Sequence, residues 1–362
     1  MNLNNIKNAN DISNMDLSNF KELIQFLLEN QSPPNIDFFK MILKEIDLIL
    51  NNEDENIRPK DRNNLSGGLV NLSTYPKVII LPDLHARKYF LFDVLWWNAF
   101  TDNQTSLELL EKKQLALLCL GDGVHSEGIY ISRWTKAFDE YRRNYDKSSN
   151  MDEEIADSFN LMLAVMCLKI RYKNNFHFLK GNHENIYNET NNGNFAFAKY
   201  ANEGAMVLSY FRKFYGNEIL EFYSRFEKSL PLFVVGKNFL ASHAEPEYFF
   251  EEERIINYRY EGELIESLTW TENFASASGT IDKLLAYYLK EHQNENTYYF
   301  GGHRPITENF FRINNDRYVQ IHNPKKEISV VIDSNKKINL NSDVKVVPRD
   351  KAYSLKVKEM QE

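Results

Sequence analysis

The spacing of hydrophobic positions changes character near residue 77, and that change divides the chain. Before it, apolar residues recur at helical intervals. Leu17, Phe20, Leu23, Ile24, Leu27 and Leu28 predict an amphipathic helix over 16–30, broken by Ser32-Pro33-Pro34. Met41, Ile42, Ile46, Ile49 and Leu50 predict a second over 38–50. Residues 51–68 are polar and end in Ser66-Gly67-Gly68, as a linker would. Beyond residue 77 short continuous apolar runs take over. Those at 78–81, 115–120 and 176–179 read as buried strands, with helical stretches at 89–100, 134–145 and 154–173 between and around them. Further helices are expected over 195–215, 218–226 and 281–291, a hairpin over 232–242, and strands at 298–300, 318–321 and 328–332. Strands alternating with helices, then strands in pairs, predict an α/β domain with mixed sheets. The expected organisation is an N-terminal helical extension and linker over 1–72, a main domain over 73–335 and a polar C-terminal tail over 336–362. The two N-terminal helices are expected to pack on the main domain, with docking of a partner as their other use.

Composition narrows the class. The 362 residues carry 43 Lys plus Arg against 51 Asp plus Glu, a net charge of -8, so there is no general attraction for nucleic acid and none is expected as a partner. The 2 Cys, Cys119 and Cys167, lie in apolar runs, which excludes a disulfide scaffold or a cysteine-rich metal site. No stretch approaches 18 apolar residues and the Asn-rich start lacks the form of a secretory leader, so no membrane span is expected and the cytoplasm is the default location.

The candidate chemistry lies with where the 8 His fall. Buried strands run into Pro82-Asp83-Leu84-His85, Gly121-Asp122-Gly123 and Gly181-Asn182-His183-Glu184, the hairpin into Ser242-His243-Ala244-Glu245, and a later strand into Gly301-Gly302-His303-Arg304. The C-terminal edge of such strands is where α/β sheets bind ligands. Asp83 and His85, two apart in extended backbone, leave the chain on one side and could chelate one ion. Asp122 could bridge two ions, and Asn182, His243 and His303 could hold the second. Carboxylate, amide and imidazole ligands without thiolate suit Mn, Fe or Zn in a working site rather than a structural zinc.

The ordered set D-x-H, GD, GNHE, a later His and GH resembles the calcineurin-like metallophosphoesterase superfamily. Ser229-Leu230-Pro231-Leu232 through Ser242-His243-Ala244, and the segment Ser267-Leu268-Thr269-Trp270-Thr271-Glu272-Asn273, are similar to its Ser/Thr phosphoprotein phosphatase branch. The resemblance spans about residues 76–335 and its five motifs in order are specific. It implies a sandwich of two mixed β-sheets flanked by helices and a dinuclear metal site. Asp83 and His85 would bind the first metal, Asp122 both, and Asn182, His243 and His303 the second. His183 would act as general acid or as a hydrogen-bond donor to phosphate. The implied activity is phosphoester hydrolysis by a hydroxide generated on the metals, the substrate being a phosphorylated protein.

The second motif departs from the family. Its usual continuation, G-D-x-V-D-R-G, reads Gly121-Asp122-Gly123-Val124-His125-Ser126-Glu127 here. His125 replaces the Asp that orients the catalytic His, and Ser126 replaces a phosphate-clamping Arg. Arg87 and Arg304, just beyond metal motifs, are the candidates to replace that clamp. The altered motif keeps two further readings open: a hydrolase of small phosphoesters or nucleotide polyphosphates, and a non-catalytic phospho-binding scaffold. His177 and His292 are expected to be structural or solvated; His322, which follows a late strand and could border the site, is expected to be structural.

Overall fold

The computed structural model describes residues 3–100 and 103–349. Its strands are β1 (Leu69–Asn71), β2 (Lys77–Leu81), β3 (Leu115–Cys119), β4 (Phe176–Phe178), β5 (Phe233–Val235), β6 (Phe239–Ser242), β7 (Tyr298–Gly301), β8 (Phe311–Ile313), β9 (Tyr318–Gln320), β10 (Ile328–Asp333) and β11 (Val344–Val346). They form a five-stranded sheet in the order β11-β10-β2-β3-β4 and a six-stranded sheet in the order β1-β5-β6-β7-β9-β8. In the first sheet β2, β3 and β4 are parallel, with Val78 opposite Ala116 and Leu118 opposite His177. In the second β6, β7 and β9 are parallel. Both sheets are mixed, because β10 runs antiparallel to β2 and β5 antiparallel to β6.

The two-residue period of the strands sorts their side chains into layers. Val78, Ile80 and Leu118 face Val234, Ala241, Phe300 and Val319 between the sheets. The alternate residues Ile79, Leu81, Leu117 and Cys119 join the helices on the first sheet's outer face. Phe233, Leu240, Tyr299 and Tyr318 do the same on the second, against Leu264, Leu268, Leu284 and Leu285.

Helix Ser149–Arg171 is buried along nearly its whole length, which is why it lacks a polar face. The N-terminal helices cover it. Helix Leu17–Glu29 is capped by Asp16, which accepts from Asn19 N at 3.0 Å, and buries Phe20, Leu23, Ile24, Leu27 and Leu28. Each such side chain contributes roughly 1.5–3 kcal/mol. Helix Ile36–Asn51 is capped by Asn35 and buries Phe38, Phe39, Ile42, Leu43, Ile46 and Leu50. Their apolar faces therefore serve the same core as the first sheet. Among the described residues no helix is long and apolar enough to cross a membrane.

Several expected elements are corrected. The helix expected over 195–215 is only Glu203–Phe214, because the Glu203 carboxylate accepts from Lys199 N and Tyr200 N and stops the helix there. The helix expected over 89–100 is Lys88–Trp96. Strand β1 lies in the stretch assigned to the N-terminal linker and pairs with β5. The polar stretch from residue 336 contributes β11 and buries Ile338, Leu340, Val344 and Val347, so its described part, up to residue 349, is no free tail. The remainder of that expected tail, 350–362, lies outside the described residues.

A buried charged network joins the N-terminal segment to the core. Glu53 pairs with Arg58 Nη1 at 2.5 Å and with Lys169. Lys169 Nζ also donates to His177 Nδ1 at 3.2 Å, so the other nitrogen of His177 donates to Asn174 O at 3.0 Å. Burial, helped by the Lys169 ammonium, lowers the His177 pKa to about 3. For Glu53, burial alone would raise the pKa, but Lys169 and Arg58 outweigh it and lower it to about 2. Below pH 6.5 the unfolded chain takes up a proton on His177 that the folded one refuses until about pH 3. Below 4.5 the unfolded Glu53 does likewise, and its contribution is lost as pH falls toward about 2. Thermal midpoints are therefore expected to fall steadily from pH 6.5 downward. His177→Gln should flatten the slope between pH 6.5 and 4; an unchanged slope would count against His177 as a source.

Candidate metal centre

Three parallel strands of each sheet end in potential ligands at one edge. From the first sheet, β2 leads to Asp83 and His85, β3 to Asp122, His125 and Glu127, and β4 to Asn182 and His183. From the second, β6 leads to His243, β7 to His303 and β9 to His322. Asp83, Asp122 and all of these histidines are buried except His303, which is partly so.

The turns that achieve this are demanding. His85, Asp122, His125 and His303 all have positive φ, between 41° and 67°, a region that non-glycine residues enter seldom and at a cost. A Cβ on Gly181 would strike Asp122 Oδ1, and one on Gly302 would strike Asp83 Oδ1, so glycine is needed for this approach. Glu184 clamps two of the loops together: its carboxylate accepts from Asp122 N and Gly123 N at 2.9 Å each and from Gly181 N at 2.7 Å. Asp83 accepts from His303 N at 2.9 Å, which links the two sheets' edges, and Asp122 accepts from His183 N at 2.9 Å, which ties the loops after β3 and β4.

The ligand atoms converge. His85 Nε2 lies 3.7 Å from Asp83, Asp122 and Glu127 oxygens alike, while its Nδ1 is held by His125 O at 3.0 Å. His243 donates Nδ1–H to Leu120 O at 3.0 Å, leaving Nε2 3.4 Å from Asp122 Oδ2 and 3.0 Å from Asn182 Oδ1. His303 Nδ1 is 2.9 Å from the same Asn182 oxygen. Asp122 thus lies within reach of His85, which also meets Asp83, and of His243, whose Asn182 partner also meets His303.

The electrostatics fit a cation. Burial would depress His85, but Glu127, Asp83 and Asp122 outweigh it and push it up to about 9, a sign of surplus negative charge. Burial pulls His243 down to about 4 and His303 well below its ordinary range. Both are neutral near pH 7 and have lone pairs to give. Convergent acceptors with few donors among them fit divalent metals, and groups such as Asp122, His243 and His303 lie close enough to hold one.

A family model for calcineurin-like phosphoesterases matches residues 76–324. The chain belongs to that family. No curated protein matches it by sequence. Among solved structures, a protein serine/threonine phosphatase from Saccharomyces cerevisiae with similarity to human phosphatase PP5 superposes with a TM-score of 0.53. Identity is 14%, over 86% of this chain and 88% of that one. That likeness shows the fold: an α/β sandwich of two mixed sheets flanked by helices. A cold-active protein-tyrosine phosphatase of a psychrophile Shewanella species (TM-score 0.44, 14% identity, 77% and 82% coverage) is also similar. So is a putative diadenosine tetraphosphatase (TM-score 0.40, 14% identity, 79% and 99% coverage).

Within this calcineurin-like phosphoesterase the altered second motif has built its own surroundings. His125 Nδ1 faces His183 Nδ1 at 2.9 Å, and Phe197 stacks on the His125 ring with centroids 5.1 Å apart. Burial lowers the His125 pKa to about 3, and burial together with His85 lowers His183 well below its ordinary range. Ser126 is bonded to Glu154, and the nearby Arg133 is committed to Glu154 and Asp157. Arg304 stands at the rim, paired with Glu272. Arg87 corrects an expectation. Its guanidinium donates to the backbone carbonyls of Asp83, Leu84, Asn323 (3.1 Å) and Lys326, so it braces loops and has little left for a phosphate.

Sequence reasoning passed over Glu127, His322, Phe197 and Lys199. For His322 a signal was present: it follows β9 as His303 follows β7. Phe197 and Lys199 were hidden by the helix expected across them.

Proposed function

We propose that the chain hydrolyses phosphate esters with two divalent cations, Mn, Fe or Zn. Asp83, His85 and Asp122 would hold the first, and Asp122, Asn182, His243 and His303 the second. The observation that carries this reading is Asp122, whose Oδ2 lies 3.7 Å from His85, 3.7 Å from His183 and 3.4 Å from His243. Bound there, such ions supply Lewis acidity and bring the pKa of water toward neutrality.

The chain's own part is orientation and proton handling. Backbone carbonyls fix the rings of His85 and His243 so that Nε2 points inward. In the Nδ1-to-Nδ1 pair one ring must donate. With His125 as donor, His183 presents Nε2–H toward the Asp122 cluster, which is the donor that a phosphoryl or leaving-group oxygen needs. Arg304, half-buried at the rim beside His303, is the guanidinium we assign to phosphate contact.

A phosphorylated protein is the substrate that the motif order favours. The altered second motif favours a second reading, a small phosphoester or nucleotide polyphosphate, because Arg133 is committed to Glu154 and Asp157. Hydrolysis of 4-nitrophenyl phosphate is expected to be stimulated by Mn²⁺ and abolished by EDTA. Metal binding without hydrolysis would instead support a phospho-binding scaffold. Competition between a phosphopeptide and a dinucleotide polyphosphate would then decide the substrate class.

A further inference from the structure

We propose that His322 is a fourth protein ligand of the first metal, and that Glu127 orients it. The inference rests on the dinuclear reading above and adds to it two residues outside the family's motif pattern.

Topology brings His322 to the site. Strand β9 runs parallel to β7 with Gln320 opposite Gly301, so His322 leaves the same sheet edge as His303. Its ring is buried, 5.4 Å from that of His85. Asp83, His85 and His322 each offer a ligand atom, all within 4.8 Å of one another.

The two ring nitrogens are used differently. Nε2 lies 3.3 Å from Glu127 Oε2, within hydrogen-bond reach. Nδ1 is buried, has no hydrogen-bond partner and lies 3.8 Å from Asp83 Oδ2. Leaving such an atom unmatched costs about 1–3 kcal/mol. A packing histidine avoids this, as His177 does by bonding through both nitrogens. Metal-ligating histidines show the pattern seen at His322, with one N–H on a carboxylate or carbonyl and the other nitrogen on the ion. His243 divides its nitrogens in the same way. Glu127 is itself fixed by Lys199 Nζ at 2.5 Å. The first metal would then have Asp83, His85, Asp122 and His322, matching the four protein ligands of the second.

The test uses the full chain and Zn²⁺ alone as probe. Anomalous diffraction from zinc-soaked wild-type crystals should place His322 Nδ1 about 2.0–2.1 Å from one of two zinc peaks. In chelator-competition titrations the wild type should bind two Zn²⁺. His322→Ala should weaken one of them about 10–100-fold and spare the other, and Glu127→Gln should weaken the same one. Two zinc peaks with His322 Nδ1 beyond about 3 Å of both would overturn the assignment and leave the dinuclear reading standing. So would wild-type zinc affinities in a folded His322→Ala protein. A wild type that binds no zinc would overturn both.

Discussion

Asp122→Asn is expected to lower metal-dependent turnover by about 10³-fold or more, on the order of 4 kcal/mol of transition-state stabilisation. Asp122 Oδ2 lies 3.7 Å from His85 and 3.4 Å from His243, so in the proposed site its loss would weaken both ions. The substitution removes charge but little shape. The Asn carbonyl can still accept His183 N–H, which now reaches Oδ1 at 2.9 Å, so the loop should stay in place. Burial drives the Asp122 carboxyl well above its ordinary range; His85 opposes this, while Asp83 and Glu184 add to it. Without a cation the carboxylate is therefore costly, and a neutral amide relieves that cost. The Asn variant should accordingly be at least as heat-stable as the wild type in EDTA, while gaining less from added Mn²⁺. Measuring turnover, metal content and thermal midpoints on one preparation checks all three. Near-wild-type turnover in the variant would sink the bridging role.

That site was largely legible because its residues obey one local rule: a buried strand ends, and a ligand type follows within a few residues. Asp83, Asp122, Asn182, His243 and His303 each stand out in one short window. What stayed hidden depends on contacts distant along the chain. Arg87 looked like a phosphate clamp because it neighbours a metal motif, yet its partners at Asn323 and Lys326 lie more than two hundred residues away. Lys199 and Phe197 came with a false helix, since nothing local signals that Glu203 caps its own upstream backbone. The fold was similarly readable where apolar runs were long. Leu69–Asn71 and Val344–Val346 are three-residue edge strands amid polar residues, and only pairing with β5 and β10 makes them strands. The positive φ at His85 and Asp122 could not be read from composition, because it is imposed by the loops' mutual hydrogen bonds.

Glu53→Ala is expected to destabilise the fold by about 3–5 kcal/mol, the range for removing one partner of a buried ion pair. That is a large part of the roughly 5–15 kcal/mol that holds an ordinary domain folded. Glu53 is the sole carboxylate that the described contacts give to two buried cations, Arg58 and Lys169. Arg58 is fully buried and also donates to Gly67 O at 2.9 Å and Ser229 O at 3.1 Å, so it cannot swing out to solvent without breaking those bonds. Lys169 has another way out. Burial already lowers its pKa to about 8, against the pull of Glu53, and without that carboxylate it would shed its proton at neutral pH. Arg58 keeps its charge and so accounts for most of the expected loss. Lys169→Met should be milder, because it leaves Glu53 and Arg58 as a balanced pair. The double variant Glu53→Ala/Lys169→Met should lose less than the two single losses summed, since the residues touch. Urea midpoints of the four proteins close the cycle. A loss under about 1 kcal/mol for Glu53→Ala would mean that water reaches Arg58, and that the N-terminal segment is held by its apolar faces alone.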